Sequence, residues 1–206
     1  AIFVIIFSKN LLKLRLFTLL ASILLLFIIS FFNPTAKERV IDQTLNQMNL
    51  VDKDKREEEG IYAFTKQHTH NYITAYRMFL DNKILGVGIK NFRHFCSNEK
   101  YIVSGLSCST HPHNTYVQVL SETGLIGFLF LIITLIYFCL NITKHLYFKF
   151  KNKSYYFNDF EICVLSGIAI YLWPFVPTGN FFNNWINIAM ILNFPFLIWS
   201  IKLNKY

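Results

Sequence analysis

The sequence predicts an all-α integral membrane protein. The expected architecture is about four transmembrane helices, the C-terminal part of a larger polytopic bundle, plus a mainly helical loop domain on the outer face. Three observations predict it. Hydrophobic residues make up 53% of the 206-residue chain and charged residues only 16%, well under the roughly 25% of an ordinary soluble domain. The apolar residues are gathered into long blocks, and basic residues stand at the ends of those blocks.

The blocks justify the elements in order. Residues 1–13 open with AIFVIIF and run into SKNLLK. They are too short to span and lack the small-residue cleavage site of a signal peptide, so they read as the tail of a preceding span and a cytoplasmic turn. Residues 14–32 (LRLFTLLASILLLFIISFF) carry one charge, Arg15, at the edge, and residues 124–140 (GLIGFLFLIITLIYFCL) carry none. Both suit the about 17–25 apolar residues that cross a bilayer as a helix, and the second span is set at 121–141. Residues 162–177 and 185–201 are also uncharged. They are shorter, but Trp173, Trp185 and Trp199 lie near their ends, where interfacial aromatics belong. Spans are therefore expected at 160–177 and 185–201. A basic loop over 142–159, a short outer turn over 178–184 and a tail over 202–206 complete the chain.

Net charge is +8, and its placement decides orientation. Positive segments lie at Lys9, Lys13 and Arg15, at Lys144, Lys149, Lys151 and Lys153, and at Lys202 and Lys205. Alternating spans put all three on one side, which the positive-inside rule makes cytoplasmic. Residues 33–120 then form one long outer loop. In a bacterial inner membrane that loop is periplasmic. Nucleic acid is not an expected partner, because the basic residues flank spans rather than forming a patch.

The loop has its own pattern. Thr35 and Glu38 stand in capping-box spacing, and Ile41, Leu45 and Met48 then share a helical face. The run VDKDKREEEG reads as a solvated linker, Arg56 with it. Residues 61–82 are periodic again. Phe64, Tyr72, Ala75, Tyr76 and Phe79 form an apolar stripe suited to the bilayer surface. His70, Thr74, Arg77 and Asp81 form the opposite face, expected to turn toward His113. ILGVGIKNF (84–92) breaks the helix, and Gly86 and Gly88 suggest a tight turn whose backbone approaches something closely.

Of four cysteines, Cys139 and Cys163 fall in spans and read as packing residues. Cys96 and Cys108 fall in the outer loop, where an oxidising compartment favours a disulfide. The competing reading is a metal site joining them to His111 and His113, or to His68 and His70. Zinc usually takes four convergent ligands and closer cysteine pairs, so the disulfide is favoured and no metal is expected.

Residues 108–127, CSTHPHNTYVQVLSETGLIG, place polar chemistry on the threshold of a span. Pro112 fixes the chain, and Asn114 is a natural N-cap. Asn114, Gln118 and Glu122 recur every four residues as a polar stripe, and a carboxylate there must face the bundle interior. Gly124 and Gly127 are close-packing positions. His113 stands at the helix N-terminus, where the dipole disfavours imidazolium and attracts anions. It reads equally as a general base for a hydroxyl acceptor and as a capping histidine at a wet interface. The chain holds 15 Lys but only 5 Arg, four of them in the outer loop: Arg39, Arg56, Arg77 and Arg93. Arg39 and Arg77, on helices, suit bidentate grip on phosphate; as surface ion pairs they would contribute little.

These residues resemble a family. His113-Asn114, nine residues, Gly124, two residues, Gly127 looks like the signature of the O-antigen ligase and O-antigen polymerase superfamily. Arg77, then Leu85-Gly86-Val87-Gly88, Asn91-Phe92, His111-Pro112-His113-Asn114 and Glu122-Thr123-Gly124 are similar to its large periplasmic loop. PTGNFFNNW (177–185) is similar to the family's segment between the last spans. The likeness covers roughly residues 20–200.

The resemblance implies a membrane glycosyltransferase needing no metal or cofactor. It would move an oligosaccharide from undecaprenyl diphosphate to a sugar hydroxyl, on the lipid A core for a ligase or on a growing glycan chain for a polymerase. His113 matches the catalytic histidine, and Arg77, with Arg39 beside it, the diphosphate-binding arginines. Asn114, His111, Glu122, Gly86 and Gly88 would support the site. A protein O-oligosaccharyltransferase shares the motif. Outside enzymes, the rival is a transporter or flippase component, which would carry ionisable residues at mid-bilayer on broken helices; here the polar chemistry sits outside the spans.

Overall fold

A computed structural model describes all residues except 1, 9, 55, 56, 58, 59, 61, 153–155 and 204–206. Arg56, Lys9, Lys153 and Lys205 thus lie outside the described residues. The described chain is helical, with no strand among its described residues. In chain order come α1 (Ile2–Phe7), α2 (Leu12–Phe32), α3 (Pro34–Lys37), a π-helical turn (Glu38–Asp42) and α4 (Gln43–Gln47). Then follow α5 (Lys66–Asp81), α6 (Phe92–Phe95), α7 (Thr115–Tyr147), a second π-helical turn (Phe148–Asn152), α8 (Asp159–Leu172), α9 (Asn184–Ile191) and α10 (Asn193–Leu203).

Among the described residues, two helices are long and apolar enough to cross a bilayer: α2, with 21 residues and no buried side chain, and α7 with its extension. The two later expected spans differ from the expectation. The segment set at 160–177 ends as a helix at Leu172, because Pro174 forces Trp173 into the extended region (φ −74°, ψ 118°). The segment set at 185–201 is split between α9 and α10. Pro195 has no N–H to continue the ladder across the junction, and the Asn193 side chain takes up the Ala189 and Met190 carbonyls instead.

The loop also departs from its pattern in two places. Thr35 is not an N-cap: it lies inside α3, which starts directly on Pro34 after extended Asn33, proline being suited to a first helical position. The helix expected at 61–82 runs 66–81 with Thr65 as N-cap, its hydroxyl accepting from the His68 N–H. Its buried face is Asn71, Thr74, Ala75 and Met78. Thr74 is therefore inside and Tyr76 outside, 53% exposed, because tertiary packing selects the stripe that meets α6 and α7.

Two cores result. Ala75, Met78, Phe92 and Cys96 close the loop domain against Val117. Phe7, Val119, Leu131, Ile162, Leu165, Ile168 and Leu172 join α1, α7 and α8. One end of the bundle gathers basic and acidic groups: Arg15 pairs with Asp159 at 3.5 Å, and His145 bonds the Phe7 carbonyl at 2.9 Å. The other end carries residues 111–122 against 174–181.

Candidate active site at the mouth of α7

Asn114 begins α7. Its side-chain oxygen accepts from the Tyr116 and Val117 N–H groups at 3.0 and 3.1 Å, and its amide donates to the Pro174 carbonyl at 2.8 Å. The stripe behind it is buried: Asn114 5%, Gln118 0% and Glu122 1% exposed. Gln118 donates to Glu122 at 3.1 Å and to Asn180 at 2.8 Å, and accepts from the Phe181 N–H at 2.9 Å. Glu122 accepts further from the Lys90 and Phe92 N–H groups, both at 3.0 Å. Both oxygens of this side chain are thus engaged, by Lys90 and Gln118 on one and by Phe92 on the other. It locks the glycine turn onto α7.

Gly124 explains why that turn can dock. At φ 63°, ψ −159° it interrupts the helix, an unfavourable conformation for any residue with a Cβ. The break frees the Ser121 and Glu122 carbonyls, which accept from Val87 and Gly88 N–H at 2.9 Å each. Leu125 N–H in turn donates to the Lys83 carbonyl at 2.8 Å. A Cβ on Gly86 (φ 67°) would strike the Glu122 backbone, and one on Gly124 the Ile84 backbone. The close approach expected of Gly86 is this one. Gly124 is the close-packing position expected, here against the Ile84 backbone, and it breaks the helix as well.

His113 has φ 62°, held by the Thr178 N–H donating to its carbonyl at 2.8 Å. Thr178 also accepts from His111: Nε2 lies 3.2 Å from its carbonyl, which can only accept. Neutral His111 therefore carries its proton on Nε2, and Nδ1 takes the Thr110 hydroxyl at 2.9 Å. The His113 imidazole has no hydrogen-bond partner among the described residues. Its ring centroid is 4.1 Å from His111 and 5.3 Å from His68. Burial holds His113 below its ordinary 6.5. Burial, then the neighbouring His113, lowers His68 and His111 too. The cluster is neutral at pH 7 and able to accept protons. His68 stacks on Tyr72, whose hydroxyl is buried with no hydrogen-bond partner among the described residues. No three His, Cys, Asp or Glu side chains among the described residues converge to hold a metal ion.

The arginines fall elsewhere. Nine residues separate His68 from Arg77 on α5, about half a turn apart after two full turns at about 100° per residue. His68 and Tyr72 flank the side toward His113. His70, Arg77 and Asp81 flank the other, where His70 meets Ser104 at 2.6 Å, Arg77 donates to the Ile102 carbonyl at 2.7 Å, and Asp81 pairs with Lys100 at 2.6 Å. The polar face expected to turn toward His113 lies under residues 100–104 instead. Arg39 is exposed in the first π-helical turn. Arg93, on α6, adds its charge to the burial and the neighbouring His113 that lower His111. Cys96 and Cys108 are joined, Cα–Cα 4.9 Å, tying α6 to the segment before His111.

On sequence grounds His68 entered only as a ligand of the disfavoured metal site, and Thr178 and Asn180 only within PTGNFFNNW. The four-residue spacing of Asn114, Gln118 and Glu122 signalled one half of the network. PTGN was the only trace of the other.

No curated protein and no solved structure matches the chain. A family model described as O-antigen ligase matches residues 1–132, which contain α1 through the glycine break of α7 and the whole histidine cluster. That family is one of membrane-embedded, glycosyltransferase-like enzymes. On this match over more than half its length, the chain belongs to the O-antigen ligase family.

Proposed function

We propose that this chain transfers an oligosaccharide from undecaprenyl diphosphate to a sugar hydroxyl at the periplasmic face of the inner membrane, as an O-antigen ligase or polymerase. The observation that carries the reading is the His113 imidazole: neutral, without a hydrogen-bond partner among the described residues, and seated at the mouth of a membrane-entering helix. As the acceptor oxygen bonds to the anomeric carbon, the bond from that carbon to the donor diphosphate breaks. The acceptor proton passes to His113, and the diphosphate leaves with the bonding pair. Neutralising that leaving group needs cations. Arg77 and Arg39 take this role on the resemblance. Arg93 supports it by position, since its charge already acts on His111. The Cys96–Cys108 bridge supports an oxidising compartment for the loop.

The test is the glycan profile of a deletion strain complemented with wild type or His113→Ala. Loss of all O-chain from lipid A identifies a ligase, and a single repeat unit on the core a polymerase. Loss of glycan from proteins alone identifies a protein O-oligosaccharyltransferase. Donor trapped on the cytoplasmic leaflet identifies a flippase component. Normal glycans throughout sink the proposal.

A further inference from the structure

The turn between α5 and α6 turns three large aliphatic side chains outward: Ile84 is 66%, Leu85 71% and Ile89 58% exposed. A single exposed aliphatic residue is ordinary, but a run of them on one turn marks a contact surface. Its height is fixed by main-chain bonds. The Leu125 N–H donates to the Lys83 carbonyl and the Ile126 N–H to the Ile84 carbonyl, at 2.8 and 3.4 Å.

Leu125 and Ile126 open the uncharged run 124–140, and the first charge beyond it is Lys144. A hydrocarbon core of roughly 30 Å takes about 20 helical residues at 1.5 Å each. Counted back from Lys144, that core reaches Gly124. The tip of the turn is therefore bonded to α7 at the boundary where the helix enters the acyl chains. Its apolar surface continues the outward side chains of Leu125, Ile126 and Leu129.

Charge identifies the occupant. Residues 82–98 contain Lys83, Lys90 and Arg93 and no acid. Exposed Lys83 and Lys90 bracket the aliphatic residues, and lysine stems reach along apolar surface to set the ammonium among headgroups. Anionic headgroups favour such cations.

We propose that the Lys83–Lys90 turn is a lipid-inserted wedge, with Ile84, Leu85 and Ile89 among the outer acyl chains and the two lysines at the headgroups. It rests on α7 crossing the bilayer and not on the transfer reaction. Because the same turn supplies the Lys90 N–H to the Glu122 side chain and the Val87 and Gly88 N–H groups to the Ser121 and Glu122 carbonyls, the wedge sets the height of the polar network against the lipid surface.

Leu85→Cys and, separately, Ile84→Cys are made in a Cys139→Ser, Cys163→Ser background of the whole protein. Each is spin-labelled and reconstituted in liposomes of phosphatidylethanolamine and phosphatidylglycerol. Power saturation compares dissolved oxygen with a water-soluble nickel chelate. Phe130→Cys serves as the control on the outward face of the span, and Glu99→Cys as the control in the aqueous loop. The expected result is an oxygen-to-nickel ratio several-fold above that of Glu99→Cys and close to that of Phe130→Cys. Nickel access equal to that of Glu99→Cys puts the turn in water and overturns the wedge. Shielding from both reagents means that protein covers it, and overturns the wedge as well.

Discussion

The rings of His68 and His113 lie 5.3 Å apart, one in the first turn of α5 and the other just before α7. The pairing brings two imidazoles lowered by burial to the threshold of the span. It also defines which side of α5 faces the site.

His113→Ala is expected to lower transfer by about 10²–10⁴-fold, the usual contribution of a positioned base, with unchanged membrane insertion. The sign of the pH dependence follows from burial. A folded-state pKa below 6.5 keeps the base competent through neutrality, and activity falls as pH drops through that lowered value. Folding follows the same direction: below pH 6.5 an unfolded His113 takes up a proton that the folded one resists, so acid destabilises the folded state. A pH–rate profile with its acid limb at or above 6.5 contradicts the assignment.

Protonated His113 depresses His68, after burial, whereas burial alone lowers His113. His68→Gln should therefore leave the acid limb near its wild-type pH, while transfer at pH 8 falls by less than in His113→Ala. A limb that moves to higher pH would show that His68 already carries charge when His113 titrates.

Much of this site was legible in the sequence, and the divide is physical. Local signals survived. The cap at Asn114 and the buried stripe through Gln118 and Glu122 depend on helical periodicity alone, and Gly86 announced a close approach through its residue type. What failed depends on partners far along the chain. Nothing between Ser121 and Ile126 shows that a turn some 35 residues upstream will take its carbonyls, so Gly124 read as part of a continuous helix. Thr178 holds His113 in its left-handed conformation, yet an isolated PTGN tetrapeptide says only "turn". The face of α5 was misjudged because Thr74, polar and fully buried, was grouped with His70, Arg77 and Asp81 on the face expected to turn toward His113.

Gly86→Ala and Gly124→Ala each put a Cβ into opposing backbone at a positive φ. Conformational strain alone is on the order of 1–3 kcal/mol, and the clash adds to it. Both variants should show a clear loss of melting temperature in detergent. Gly105→Ala, with open space around its Cβ position, is the control and should melt like wild type.

Glu122→Ala leaves the buried Phe92 N–H without its acceptor, at about 1–3 kcal/mol, and the part-buried Lys90 N–H at less. Glu122→Gln retains one oxygen and should destabilise less. Thermal unfolding ranks the three proteins, and equal melting of Ala and Gln variants would show that the carboxylate oxygens do not hold the turn.

Arg77 and Arg93 make opposite predictions about the donor. Arg77 donates to the Ile102 and Tyr101 carbonyls at 2.7 and 3.4 Å on the side of α5 away from His68, so in this arrangement it braces the loop. Arg93 acts on His111 from α6, itself tied to the histidine segment through Cys96–Cys108. Arg93→Ala should therefore raise KM for the lipid diphosphate donor by about tenfold, the equivalent of about 1.4 kcal/mol, without lowering the melting temperature. Arg77→Lys keeps a donor for the Ile102 carbonyl but loses the planar fork. If Arg77 grips the diphosphate, Lys should lose most donor affinity at unchanged stability; if it braces residues 101–102, Lys should retain donor affinity and melt a few degrees lower. Measuring KM and melting temperature on both variants separates gripping from bracing. Loss of donor affinity in Arg77→Lys alone would return the diphosphate to Arg77 and require residues 100–104 to move aside when donor binds.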